Sequence, residues 1–278
     1  MSDPVGKQLC DAAEDGRVSD VSSLLRDHPD INVNWTNPDN DDPWTALHNA
    51  SYCGHVEVVK LLLAFPDINA NLKDSNGQTP LSFACESGQV SVVQLLLKDY
   101  RVDVTLADND GRTPLWWASR YGHHEVIEWL IASGRDLGDI ANKKGKYGWD
   151  GKDQTALEIA RKKGKTEVVS VLKIFMANPA QTRRDLRVKL GVLNELAAEV
   201  FALTVFLCDD LLQLKPTSHL AATPDHAVTR FFAIAKRLPM ELQMILCHRA
   251  AGSMKQNILH KDSEAAFKSL ARILLPST

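Results

Sequence analysis

Cysteine is sparse and scattered in this sequence: Cys10, Cys53, Cys85, Cys208 and Cys247 form no C-x-x-C pair. That spacing argues against a structural zinc site. The opening MSDPVGKQLC lacks a basic start followed by an apolar core. No secretory signal is read there, so a reducing compartment, cytoplasm or nucleus, is expected. Uninterrupted apolar runs are missing as well. The most apolar stretch, 196–214, contains Glu199, Asp209 and Asp210, which suits a buried amphipathic helix better than a membrane span. Charge of one sign is also lacking: the net value of -3 supplies no general attraction to nucleic acid or to an acidic membrane surface. With 44% hydrophobic and 24% charged residues, the chain has the apolar content of a folded globular protein, as one repeat array or two domains.

Catalytic signatures are absent too. The sequence contains no G-x-x-x-x-G-K-[ST], G-x-S-x-G, H-E-x-x-H, or H-x-E with P-C-x-x-C. The adjacent His123 and His124 point in different directions on a helix and so do not suit one metal ion. Cys247 beside His248 lacks a third orienting group, and Asp209 with Asp210 lacks a second carboxylate cluster. The expectation is a protein that is not an enzyme, uses no cofactor and binds no small-molecule substrate.

What the chain does have is a repeat. TALHNASYCGHVEVVKLLL begins at Thr45, TPLSFACESGQVSVVQLLL at Thr79 and TPLWWASRYGHHEVIEWLI at Thr113, a period of 34 residues. A fourth copy, TALEIARKKGKTEVVSVLK, begins at Thr155 after eight extra residues, and QLCDAAEDGRVSDVSSLL is a degenerate first copy. Gly16, Gly54, Gly88, Gly122 and Gly164 correspond. Each unit reads as a short helix with Leu and Ala at helical spacing, a glycine that ends it, and a second helix whose Val and Leu face inward. Neither helix can bury its apolar face alone, so neighbouring copies must stack into a solenoid with one continuous core.

The T-[PA]-L-x-x-A core, the glycine nine residues after the Thr, and the turns DSNGQTPL and DNDGRTPL resemble the ankyrin repeat over about residues 5–175. The resemblance implies an all-α ankyrin-repeat solenoid with short inter-repeat hairpins. One departure is the motif's His, which survives only as His48 and is replaced by Ser82, Trp116 and Glu158. His48 is expected to be a repeat-specific hydrogen-bonding residue, and packing or hydrogen bonding should differ where it is replaced. His124, standing where other copies have Val56 and Val90, is expected to be a partly buried structural imidazole. Two insertions, around Trp35 to Trp44 and from Asp139 to Asp153, lengthen inter-repeat loops; their aromatic residues Trp35, Trp44, Tyr147 and Trp149 either pack back onto the solenoid or face a partner.

After Asn178 the period disappears, dividing the chain into an expected repeat domain, 1–178, and a helical domain, 179–278. Helices are read over 182–214, 224–238, 240–251 and 262–275. The tail, RFFAIAKRLPMELQMILCHRAAGS included, resembles helical extensions that follow ankyrin repeats in some fungal and protist proteins. Within it, RLPMELQMIL resembles the opening of an F-box at 238–246. That likeness implies an alternative role as a ubiquitin-ligase substrate adaptor, while an ordinary amphipathic helix explains the same residues. The domain is expected to cap the solenoid or to offer a second docking surface.

The ankyrin resemblance implies that a partner protein binds a concave face built from the turns and the C-terminal ends of the first helices. The two positions before each glycine are Glu14 and Asp15, Tyr52 and Cys53, Glu86 and Ser87, Arg120 and Tyr121, then Lys162 and Lys163. Turn residues Ser75, Asn76, Gln78, Asn109, Asp110 and Arg112 should lie alongside. Trp116 and Trp117, spaced four residues from Arg120 and Tyr121, complete a cluster of which part should be exposed. Residues 1–42 hold ten acidic and three basic residues, whereas 141–173 hold four and nine, so the face should run from acidic to basic. The expected function is a monomeric protein-interaction scaffold, with no nucleic acid and no membrane among its partners.

Overall fold

The computed structural model describes residues 3–36, 43–147, 152–192 and Cys247. The chain divides into two compact units, 1–186 and 187–278. In the first, five helix pairs follow one another: α1 (Pro4–Glu14) and α2 (Val18–Asp27), α3 (Ala46–Cys53) and α4 (Val56–Leu63), α5 (Pro80–Ser87) and α6 (Val90–Lys98), α7 (Pro114–Tyr121) and α8 (His124–Ala132), α9 (Ala156–Lys162) and α10 (Thr166–Ala177). A further helix, α11 (Pro179–Lys189), begins right after α10. Among the described residues no helix is long and apolar enough to cross a membrane.

Local chemistry sets where the first helix of each pair starts and stops. Thr45, Thr79, Thr113 and Thr155 hold extended backbone at the N-cap, and each hydroxyl oxygen accepts the N–H three residues on. Such a cap contributes about 1 kcal/mol by satisfying a donor that the helix cannot. Pro80 and Pro114 stand in the first turn, where a missing N–H costs nothing. Gly54, Gly88 and Gly122 end α3, α5 and α7 in the left-handed region, at φ 82, 72 and 89°. The residue after each glycine sends its N–H back to the carbonyl of Ala50, Ala84 or Ala118.

The helices form two layers, α1–α3–α5–α7–α9 packed side by side and α2–α4–α6–α8–α10 behind them. Each copy of the motif fills the space between. In the third pair, for example, Leu81 and Ala84 from α5 and Val92, Val93 and Leu96 from α6 are at most 1% exposed. Each such Val or Leu stabilises the stack by about 1.5–3 kcal/mol, and it does so only because a neighbouring repeat covers it.

Polar staples tie one repeat to the next. The rings of His55 and His123 direct Nε2 at the carbonyls of Glu14 and Glu86, at 2.8 and 2.9 Å, and Gln89 donates to the carbonyl of Tyr52 at 3.2 Å. Each acceptor belongs to the last turn of the preceding first-layer helix. Behind, Arg101 donates to the carbonyl of Leu63 at 2.6 Å, and Arg135 to those of Leu97 at 2.8 Å and Val102. The carbonyls of Leu63 and Leu97, at the ends of α4 and α6, are thereby satisfied.

The second insertion forms a two-stranded antiparallel hairpin, β1 (Lys144–Tyr147) with β2 (Lys152–Thr155), in register Lys144 with Thr155 and Tyr147 with Lys152. It continues the row of inter-repeat turns, since Asn109 N–H donates to the Asn76 carbonyl and Lys146 N–H to that of Asp110, each at 2.9 Å. Residues 37–42 of the first insertion lie outside the described residues, as does Trp149.

Beyond the composition break at Asn178, Thr182 and Leu186 on α11 are buried, and the Thr182 hydroxyl donates to the Asn178 carbonyl at 2.8 Å. Of the second unit, 187–192 and a buried, helical Cys247 are described. The helices read over 224–238, 240–251 and 262–275, most of that over 182–214, and the F-box-like string at 238–246 lie outside the described residues.

Candidate protein-binding face

Where the motif's His is present or replaced, the structure shows how each repeat finishes its cap. His48 is fully buried; its Nδ1 meets the Thr45 hydroxyl at 2.8 Å and its Nε2 the Leu72 carbonyl at 3.0 Å, joining helix start to the following turn. Ser82 reaches only the Thr79 hydroxyl, at 3.1 Å. Trp116 restores the longer span, donating from Nε1 to the Gln154 carbonyl of β2 at 2.9 Å. Glu158 accepts the Thr155 N–H at 2.8 Å in a closed capping box. The expected differences in hydrogen bonding are thus found. His124 is partly exposed and pairs with Glu167 at 3.1 Å.

Along the C-terminal ends of the first-layer helices the side chains fall into two neighbourhoods. Toward α1 the surface is acidic, with Glu14 and Asp15 exposed. Next to them Trp44 packs against Phe83, ring centroids 4.4 Å apart, and against Tyr52 at 5.5 Å. Tyr52 is 43% exposed and offers its ring to solvent. Gln78 is buried beside this group and donates to Glu86 at 3.0 Å.

Toward α9 the surface is built on two tryptophans. Trp116 and Trp117 meet edge to face at 5.3 Å and are 1% and 5% exposed, packed with Ile159 and covered by Tyr147 of β1. Here the expectation from sequence needs correction. Trp116, Trp117 and Gln78 are not surface residues, because the hairpin and the turn layer close over them. The Trp117 indole N–H donates to Asp108 at 3.2 Å, and burial raises the Asp108 carboxyl above its ordinary value despite bonds from the turn backbone. The exposed part of the cluster is Tyr121, stacked on Trp117 at 6.2 Å and 41% exposed.

Cations surround this aromatic floor. The Arg120 guanidinium lies 5.3 Å from the ring centroids of both Trp117 and Tyr147 and 5.1 Å from that of Tyr121. The ammonium groups of Lys162 and Lys163 lie 4.6 and 4.9 Å from the Tyr147 centroid. Lys163 also donates to the Tyr147 hydroxyl, and this bond, joined by the fields of Lys163, Arg120 and Lys162, holds the phenol below its ordinary pKa. Arg112 is committed otherwise: it pairs with Asp110 at 2.6 Å and donates to the Lys146 carbonyl at 2.7 Å. Asn76 is exposed in its turn.

Of the twelve residues singled out from sequence, the fold therefore gathers Trp116, Trp117, Arg120, Tyr121, Lys162 and Lys163 into one neighbourhood with Arg112 at its edge. Tyr52, Gln78 and Glu86 form another. Asp110 serves as the ion-pair partner of Arg112. Tyr147, noticed in the sequence only as an aromatic decoration of an insertion, is the ring that organises the cationic half.

The fold and its repeated caps define a stacked helical-repeat protein. The chain belongs to the ankyrin-repeat family: the family model for ankyrin repeats in three copies matches residues 9–108, 65–141 and 100–183, together more than half of its length. Ankyrin repeats are protein-protein interaction modules. No curated protein matches the chain.

Proposed function

We propose that this chain is a protein-interaction scaffold that binds a partner on the concave face formed by its first-layer helices and turns. The observation that carries this reading is a surface of exposed Tyr121, Lys162 and Lys163 and half-buried Arg120 around buried Trp116 and Trp117, with exposed Tyr52 on Trp44 and Phe83 farther along the same face. Tyr and Arg are enriched at binding hot spots because they join a large apolar contact to a directional polar group, and here packing has already fixed much of their freedom. Glu86, Asn76, Asp110 and Arg112 border the same face. A single copy of the chain suffices for such a role, which calls for no cofactor, small-molecule substrate, nucleic acid or membrane. Four free cysteines among the described residues suit a reducing compartment such as cytoplasm or nucleus.

A photo-crosslinking amino acid placed in the full chain at Tyr52 or Tyr121, and separately at Lys60 or Lys173 on the second helix layer, tests the assignment in cells. Partner crosslinks are expected from the tyrosine positions. Crosslinks confined to Lys60 and Lys173 would refute it.

A further inference from the structure

Several cations elsewhere in the repeats are matched with carboxylates, and others donate to backbone carbonyls, as Arg135, Lys73 and Lys143 do. Arg17 pairs with Asp15 and Asp20, Lys60 with Glu57, Arg101 with Asp99, and Arg112 with Asp110. Arg120, Lys162 and Lys163 differ in being gathered at one place. All three lie within 5.3 Å of one ring centroid, that of Tyr147, and none has a carboxylate partner among the described residues. The ring faces attract each cation by about 0.5–1 kcal/mol, but they do not cancel the repulsion of three like charges held together. The Arg120 guanidinium faces the rings, and among the described residues none of its N–H groups is hydrogen-bonded, leaving the planar fork that suits a carboxylate.

Deepening the protein-binding reading above, on which this rests, we infer that the α9 end of the face receives the carboxylates of an acidic segment of the partner polypeptide, gripped by Arg120, Lys162 and Lys163 around Tyr147. The opposite end of the same face shows why the partner is a peptide and not a uniform polyanion. Glu14 and Asp15 are exposed there, and Glu86 lies between, so a nucleic acid running along the face would meet carboxylates after leaving the lysines. A peptide escapes that repulsion by ending its acidic run near Tyr121 and continuing with neutral or basic residues over Tyr52. The arrangement fixes the direction of the bound chain, acidic end on α9, and the complementary charge chiefly speeds encounter. It also contains its own reporter: a bound carboxylate offsets the cationic field and moves the Tyr147 phenol back up toward the ordinary tyrosine value.

The test uses the full chain and three probes at up to millimolar concentration: a short peptide alternating Glu and Leu, its Gln-for-Glu analogue, and single-stranded oligothymidine of matching charge. Side-chain NMR signals of Arg120, Lys162 and Lys163 and the Tyr147 phenol titration are followed. The Glu peptide is expected to shift these signals, to raise the Tyr147 pKa, and to bind roughly tenfold or more tightly than the Gln analogue at low salt, with the advantage shrinking as salt rises. Lys162→Gln with Lys163→Gln should weaken it by roughly tenfold while the thermal midpoint stays put, since both side chains are exposed. Absence of shifts, equal binding of the two peptides, tighter binding of the oligonucleotide, or an indifferent double variant would each overturn the inference. Crosslinks at Tyr52 and Tyr121 that persist undiminished in the lysine double variant would sink the acidic-segment assignment alone and leave the protein-binding reading standing. Their absence in the parent chain would sink both.

Discussion

His48 gives a direct test of how the repeats are joined. Its Nδ1 accepts the Thr45 N–H at 3.2 Å while its Nε2 faces the Leu72 carbonyl at 3.0 Å. A backbone N–H only donates and a carbonyl only accepts, so the folded state requires a neutral ring with its proton on Nε2. Burial accordingly pushes the imidazole pKa down from 6.5 to about 4, against the raising influence of hydrogen bonds to the backbone of Gln78 and Leu72. Between those values the unfolded chain binds a proton that the folded chain excludes. The stability contribution is therefore full above pH 6.5, declines as pH falls toward 4, and is constant below. Across that window the loss is about 3 kcal/mol, at about 1.4 kcal/mol per pKa unit.

His48→Ser isolates the effect, because Ser82 already occupies the equivalent place one repeat later and bonds its own Thr. The variant keeps the local cap but abandons the Leu72 carbonyl and opens a cavity. It should be less stable than the parent by about 3 kcal/mol near neutral pH, and the gap should close to about 1 kcal/mol or less near pH 4.5. Urea unfolding of both proteins, followed by circular dichroism across that range, reads the gap directly, and carboxylates titrating in both proteins cancel in the difference. A gap that stays constant or widens as pH falls would refute the neutral, doubly bonded imidazole.

Arg135→Met removes the donors to the carbonyls of Leu97, Asp99 and Val102. It should lower stability by about 2 kcal/mol in thermal unfolding, and an unchanged midpoint would show that water replaces those bonds at no loss. Gly88→Ala should cost clearly more than Gly164→Ala. Both glycines have positive φ, but an added Cβ at Gly88 would come within 2.5 Å of the His123 ring whereas at Gly164 it meets nothing within 4 Å; equal losses would discount the contact. Brief iodoacetamide treatment of the folded protein followed by mass spectrometry should label exposed Cys53 and spare Cys10 and Cys85. Burial pushes the Cys10 thiol up to about 12 and raises Cys85 as well, so rapid labelling of either would contradict the packing of α1 or α5.

Much of this structure is written in short-range chemistry. Thr at the N-cap, Pro in the first turn and Gly after the last turn act within a few residues, so the helix pairs and their stacking were legible from Thr45, Gly54 and their counterparts. His48 was likewise recognisable as a hydrogen-bonding residue, because one copy kept it where the others changed. The exposed members of the face, Tyr52, Tyr121, Lys162 and Lys163, followed from counting back from each glycine.

What the tertiary structure decided was which of those residues water reaches, and which polar groups meet across repeats. Spacing of four placed Trp116 with Arg120 and Trp117 with Tyr121 on one helix face, yet it carried no information about Tyr147 and the carbonyl of Gln154, which arrive from a hairpin some thirty residues later and bury both indoles. No motif in the sequence marks Arg101 or Arg135; only the stack brings helix-end carbonyls from the preceding repeat within their reach. Local propensity is settled by neighbours in sequence; burial and long-range hydrogen bonding are settled by neighbours in space, and those exist only once the repeats have stacked.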